Sequence, residues 1–322
     1  MKNRTPLKHA IPLVSLIAAI LALNSPLPLE ALKFRGSAPK VNNLQFSPDL
    51  EVSVEKSLSV NHRGPAADYF ITFSPGGSGN SSIRWLSEAG GSAMYYNLFD
   101  SITNRTILRA ISDNPAPSQV ITGSFSDAEG SGGGTTRDHQ FVLILDRNQF
   151  PVAGTYSDVI TLNLYEGTPA SPVPGGPLDS MTMNISTVMP QLTDLALLPE
   201  AAAFDPASSA MTMNFGTLFA GMERNVDIVV RSNTIYSVSV SSLQGGNMAI
   251  ADPLDTSVVP YQFSVSGFEL DLSGSAEVPI VSLAGPTDEA GDRYPISVTI
   301  LDYGMATEGL YSDTITFTLS AP

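Results

Sequence analysis

The chain has 322 residues, 43% of them apolar and 15% charged, with a formal net charge of -15 and no cysteine. This is long enough for two ordinary domains with sizeable cores and too apolar for a disordered tail. It also excludes disulfides, thiol nucleophiles and thiolate metal sites. It offers no basic face for nucleic acid and disfavours adhesion to anionic lipid or phosphate.

Lys2, Arg4 and Lys8 precede an apolar stretch, Ala10 to Leu23, interrupted by Pro12 and Ser15. Asn24 to Pro28 breaks the run, and Ala31 is a plausible cleavage point. The pattern predicts a secretory signal peptide over residues 1–31, with a retained membrane anchor as the alternative. Cleavage there leaves 13 basic and 30 acidic residues, a formal charge of -17.

After residue 40 a period of two replaces any helical period. Val52-Ser53-Val54, Ile228 to Val230, Val238-Ser239-Val240 and Ile296 to Ile300 are examples. Gly, Pro, Asn and Asp punctuate them at sandwich-like spacing. The expected fold class is all-β: two immunoglobulin-like antiparallel β-sandwich domains in tandem.

An internal repeat sets the organisation. Gly154-Thr155-Tyr156-Ser157-Asp158-Val159-Ile160-Thr161-Leu162-Asn163-Leu164 recurs as Gly309-Leu310-Tyr311-Ser312-Asp313-Thr314-Ile315-Thr316-Phe317-Thr318-Leu319. Ile160, Leu162 and Leu164 share one strand face, as do Ile315, Phe317 and Leu319, so each strand is packed on one side and wet on the other. Asp68 to Ser74 echoes Ile235 to Ser241, and Tyr95 to Phe99 echoes Pro260 to Phe263. The three pairs keep their order at offsets of 155 to 167 residues. They predict an N-terminal domain over 32–190 and a C-terminal domain over 191–322.

Thr168 to Pro177 reads as a linker. The strand that follows, 178–189, is surplus to the repeat, because residues 32–68 already match 191–235 as the lead-in to each domain. The first domain can close its sandwich with 178–189. The second has no counterpart and is expected to lack its final strand, leaving an open edge and an uncovered groove. A partner strand would then have to fill it. The alternative is that 178–189 opens the second domain and both sandwiches are complete.

Tyr156 and Tyr311 each follow a glycine by two residues and resemble tyrosine corners, with the phenol bonding backbone across a turn. Asp158 and Asp313 are expected to bond turn amides. His62 and His139 give no fixed metal site, the glycine run Gly130 to Gly134 lacks the context of a phosphate cradle, and Asp288, Glu289 and Asp292 do not match a calcium loop. No Ser–His–Asp order or Gly-x-Ser-x-Gly elbow can be assembled, so the chain is not expected to be an enzyme, and no cofactor is implied. Apolar residues set in loops mark binding surfaces. Ile83, Trp85 and Leu86, and Phe150 with Val152, are the surface-adhesion candidates, the alternative being that Trp85 and Phe150 plug the core.

The Gly-x-Tyr-x-Asp strand, Ser232-Asn233-Thr234-Ile235-Tyr236 and the Pro-Tyr-x-Phe of Pro260 to Phe263 resemble the spore coat protein U domain. That domain builds subunits of archaic chaperone–usher pili. The resemblance spans most of residues 45–322 and implies a two-domain pilus tip adhesin. It would be exported through the periplasm to the cell surface and would serve adhesion and biofilm formation. Its partners would be a periplasmic pilus chaperone, an outer-membrane usher and a neighbouring pilin subunit, with a surface or glycan as ligand. The strand Ile315, Phe317, Leu319 would border the complemented groove, and chaperone cations would grip the terminal carboxylate on Pro322. The competing expectation is a free-standing secreted carbohydrate-binding or matrix protein with two complete sandwiches.

Overall fold

The computed structural model describes residues 32–44, 46, 50–130, 134–274 and 276–322. The export segment expected over 1–31 lies outside the described residues. Alternating Val, Ile, Leu and aromatic residues give strands throughout, while helix is limited, among the described residues, to the single turn Asp127–Gly130 and three short 3-10 turns. No helix among them is long and apolar enough to cross a membrane.

The first sandwich comprises β1 (Lys33–Arg35), β2 (Val41–Leu44), β3 (Val52–His62), β4 (Ala67–Phe73), β5 (Arg84–Ser87), β6 (Ala93–Phe99), β7 (Ile121–Phe125), β8 (Thr135–Leu145), β9 (Gly154–Thr168), β10 (Ser171–Pro172) and β11 (Asp179–Met189). They form one curled sheet in the order β1-β3-β8-β6-β5-β9-β11-β2, with β4 and β7 attached through β9. The second sandwich comprises β12 (Thr193–Leu198), β13 (Glu223–Ser232), β14 (Tyr236–Ser242), β15 (Asn247–Ile250), β16 (Val258–Val265), β17 (Phe268–Leu270), β18 (Val278–Ala284), β19 (Asp292–Ile300), β20 (Tyr311–Ser312) and β21 (Ile315–Ser320). One sheet runs β12-β13-β19-β16-β15-β20, and the other runs β18-β14-β21. Each sandwich has its own apolar core.

The strand at 178–189 belongs with the first sandwich. β11 pairs antiparallel with β9 along its whole length, Asp179 opposite Leu164 and Met189 opposite Gly154. Its Met183, Ile185 and Met189 are buried in the first core. Its other edge pairs with β2 in parallel, a departure from the all-antiparallel expectation.

Two local readings need correction. Residues 168–177 are no linker: β10 folds back on the end of β9, and Val173 N–H and Leu178 N–H donate to the carbonyls of Glu166 and Leu164. The Pro and Gly residues bend a β-arch rather than separating domains. Ile83 to Leu86 is mostly strand, not loop, and Leu86 points into the core, fully buried.

Arg84 is the largest fully buried side chain. Its guanidinium donates to the carbonyls of Phe73, Ser74, Ser81 and Leu108 and to Asn97 Oδ1, at 2.6 to 3.2 Å. Among the described residues no carboxylate bonds to it. Burial depresses its pKa to about 10. The cation is tolerated because converging carbonyl dipoles replace water. It ties the end of β4 to β6 and to the loops after β4 and before β7. Asn97 Oδ1 keeps the Leu98 N–H, but replacing Arg84 with Met removes the guanidinium from the buried carbonyls, at about 1–3 kcal/mol for each left unsatisfied. We expect Arg84→Met to lower the unfolding free energy of the first sandwich by at least ~3 kcal/mol in a urea titration.

Candidate functional site

Two of the three sequence echoes, joined by the turn just past the third, meet at one clasp, built twice. Asp158 Oδ2 accepts from Tyr96 Oη (2.6 Å), and its Oδ1 accepts from Gly77 N–H (2.9 Å) and Val159 N–H (2.7 Å). Asp313 Oδ2 accepts from Tyr261 Oη (2.5 Å), and its Oδ1 accepts from Gln244 N–H (3.0 Å) and Thr314 N–H (2.7 Å). Burial first, and then the carboxylate, pushes the Tyr96 and Tyr261 phenols up, so both remain hydrogen-bond donors. Gly76 sits at φ +69°, where an added Cβ would lie 2.2 Å from Asp158 Oδ2. Only glycine admits the carboxylate there. Tyr156 Oη donates to Val152 O (2.7 Å) and Tyr311 Oη to Thr307 O (2.6 Å), each four residues back.

The strand pairing repeats as well. Phe73 faces Leu162 and Ile71 faces Leu164 across β4 and β9. Val240 faces Phe317 and Val238 faces Leu319 across β14 and β21. Both offsets of the sequence repeat, 167 and 155 residues, are kept in register.

The two copies differ in what lies beyond. β9 pairs with β4 and β5 on one edge and with β11 on the other. β21 pairs with β14 alone among the described residues. Ile160, Leu162 and Leu164 are fully buried, whereas Ile315, Phe317 and Leu319 are only half-buried. The continuous β9 is also replaced by two pieces, β20 and β21, parted at Asp313-Thr314. Beside this edge runs a groove of about 920 Å³. Residues 211–218 and 306–315 line it, with Val226, Phe263, Ile296 and Phe317 among its apolar walls. Met213 and Phe215 belong to that lining segment, yet the backbone over 209–218 makes no backbone–backbone hydrogen bond among the described residues. Side chains take Gly216 N–H and the Asn214 and Leu218 carbonyls, so the groove offers apolar side chains beside a backbone run without main-chain partners.

The surface candidates separate in space. Phe150 lies under the Arg231 guanidinium, 5.5 Å from its ring centre, and Arg231 also covers Phe204 at 4.6 Å. Ala153 N–H donates to Asn233 O (2.8 Å), and the Val152 carbonyl is taken by Tyr156. Phe150 and Val152 therefore sit at the joint between the sandwiches. Trp85 stacks edge-on with the exposed Tyr95 (6.4 Å) on the flank of the first sandwich, beside exposed Ile83. Pro322 O accepts from Gln191 Nε2 (3.4 Å), which brings it near the joint. Among the described residues no cluster of three His, Asp or Glu side chains could hold a metal ion. His62 Nε2 contacts Pro65 O (2.6 Å), and His139 Nε2 contacts Tyr69 Oη (2.7 Å).

No family model matches the chain, so the likeness to the spore coat protein U domain stays a resemblance of motifs. No curated protein matches either. Among solved structures, the chain is similar to the CsuC–CsuE chaperone–tip adhesion subunit pre-assembly complex of archaic Csu pili from Acinetobacter baumannii. Identity is 15% and the TM-score 0.41, over 90% of this chain and 99% of that one. It is similar to the CupB6 tip adhesin of Pseudomonas aeruginosa at 13% identity and TM-score 0.36, over 91% and 94%. It is also similar to the CFA/I adhesin CfaE of enterotoxigenic Escherichia coli at 10% identity and TM-score 0.34, over 89% and 93%.

Two outcomes follow from this geometry. Truncating a fully buried large side chain costs about 2–5 kcal/mol, so Leu162→Ala should destabilise the first sandwich by that amount, while Phe317→Ala should cost the second only about 1–2 kcal/mol. Urea titrations of the two variants compare them directly. Burial lowers the pKa of His139 below its ordinary 6.5. The unfolded chain then takes up the proton first as pH falls, so stability held above about pH 6.5 declines below it. His139→Gln should flatten the fall between pH 7 and 5 in the same titration.

Proposed function

We propose that the chain is a pilus tip subunit whose second sandwich is completed by a strand from another protein. The observation that carries this reading is the edge of β21. The first sandwich supplies its own model of the missing piece. There β11 lies between β9, which it meets antiparallel, and β2, which it meets in parallel. In the second sandwich β21 stands for β9, and residues 211–218 stand for β2. An incoming strand would run antiparallel to β21 and parallel to 211–218. Its apolar residues, two apart, would meet Leu319, Phe317 and Ile315, as Met181 and Met183 meet Leu162 and Ile160. Both the backbone ladder and the burial of apolar side chains favour such addition.

In this reading residues 32–190 form the domain that contacts a surface or glycan, and residues 191–322 the domain that joins the pilus. A periplasmic chaperone fills the groove first, an outer-membrane usher passes the subunit on, and a neighbouring pilin replaces the chaperone strand. Adhesion and biofilm formation at the cell surface follow from that position. Ile83 and Trp85 remain contact candidates on the flank, and the exposed β-arch at 168–178 joins them at the end of the first sandwich away from the joint. Phe150 and Val152, held at the joint, are assigned to coupling the domains. The half-buried Phe317 favours this reading over a free-standing protein with two complete sandwiches.

The test is export of the full chain with and without a periplasmic chaperone of the archaic chaperone–usher type. We expect markedly more soluble, protease-resistant protein with the chaperone than without it. Equal yield and equal resistance without it would contradict the proposal.

A further inference from the structure

We propose that the pole of the second sandwich remote from the joint is a docking face for the body of the basic protein that donates the strand. The inference rests on the strand-addition reading and adds a second contact to it. β13 runs from Glu223 at this pole to Ser232 beside the joint, a length of roughly 30 Å at strand rise. The loops 219–222, 243–246, 251–257 and 301–310 converge on the pole. Gly221 N–H donates to Ile300 O (2.8 Å), Leu243 N–H to Thr314 O (2.9 Å) and Ala251 N–H to Leu310 O (2.8 Å). Ser257 Oγ lies 3.0 Å from Thr307 Oγ1.

These loops carry the three most outward-facing apolar side chains of the described residues, while Phe268 (76% exposed) and Leu283 (72%) lie outside them. Met305 is 102% exposed, Leu254 92%, Leu310 81% and Leu243 73%, with Phe219 and Leu301 also exposed. Single exposed apolar residues need no explanation, but several on one pole mark an interaction site. No neighbouring segment of the described chain covers them. Leu310, with Ala306 and Gly309 of the same loop, also lines the groove, so the pole meets the groove mouth at this loop. A strand entering there brings the body of its owner against this pole.

Charge selects the kind of partner. Residues 191–322 hold three cations, Arg224, Arg231 and Arg293, against 16 carboxylates, a formal charge of -13. Arg231 and Arg293 are paired with Asp194 and Asp227, and Arg224 lies over Phe215. Asp252, Asp302 and Glu308, all exposed, stand among the apolar residues of the pole. A second copy of this chain would bring the same carboxylates face to face, and an anionic membrane would be repelled. A basic protein with an apolar face beside its donor strand is complementary on both counts, and opposite charge would speed its approach.

The test separates pole from groove. Refolding the full chain from urea with excess synthetic peptide of sequence 179–189 reports the groove alone. Co-expression with that periplasmic chaperone, followed by the dissociation rate of the complex, reports groove and pole together. For Leu243→Ser/Leu254→Ser/Met305→Ser, none of which lines the groove, we expect unchanged peptide-dependent refolding and a chaperone complex that dissociates at least tenfold faster. For Asp252→Asn/Asp302→Asn/Glu308→Gln, which leaves the apolar contacts intact, we expect slower association and a weaker salt dependence. Unchanged chaperone kinetics in both variants would overturn the docking face while leaving the groove standing. Loss of peptide-dependent refolding in the Ser variant would make the patch part of the groove and overturn a separate face. Self-association of the wild-type chain that the Ser variant abolishes, or its flotation with vesicles of anionic lipid, would assign the pole to another occupant and overturn the proposal. Failure of peptide and chaperone alike on the wild-type chain would remove the strand-addition reading and this inference with it.

Discussion

A β-strand has two hydrogen-bonding edges, and β21 has a partner on one of them. Unpaired backbone groups beside apolar side chains are costly in water and invite another strand. The half-burial of Phe317, the groove beside it, the break between β20 and β21 and the run 209–218 without main-chain partners all follow from that single vacancy on the sheet. In the first sandwich the same positions are sealed, because β11 occupies the equivalent edge. The chain thus holds a filled and an unfilled version of one design.

What keeps the unfilled version folded is the clasp around Asp313. A carboxylate accepting from a buried phenol and two turn amides forms strong, charge-assisted bonds. It anchors the start of β21 to β16 and to the turn after β14. The Tyr311 hydroxyl adds a bond across the 307–311 turn. These polar ties need no covering strand, so the edge is presented in the register that the first sandwich uses. The apolar half of the stabilisation is incomplete at this edge, where Ile315, Phe317 and Leu319 are only half-buried, and in the proposed function the incoming strand supplies it.

Much of this was legible in the sequence, because repeats report equivalent positions without regard to distance. The 155-residue and 167-residue offsets named the pairs that now lie opposite each other in β4–β9 and β14–β21, and the surplus of 178–189 over the repeat pointed to the asymmetry. What escaped was set by context that composition does not carry. Pro and Gly at 168–177 signal a bend, and only pairing decides between a linker and an arch. Arg84 reads as a surface cation, since its acceptors are main-chain carbonyls that any residue would provide. Leu86 and Phe150 are apolar residues near glycines; the alternation of β5 turns the first inward, and Arg231 from the other sandwich claims the second. The apolar loop around Met305 is visible in the sequence, but Leu243 and Leu254 sit in other turns and share no pattern with it, so only the fold brings them to one pole.

The central claim is that β21 keeps a free edge until another chain supplies a strand. Amide hydrogen exchange of the full chain, with and without the bound donor, tests it most directly by comparing residues 315–320 with residues 160–164. Residues 160–164, paired on both edges, should exchange only with unfolding of their sandwich in either condition. Residues 315–320 should exchange much faster in the free chain and become as protected as 160–164 once the donor is bound. Equal protection of the two segments in the free chain would show that the edge is already closed and would contradict the account.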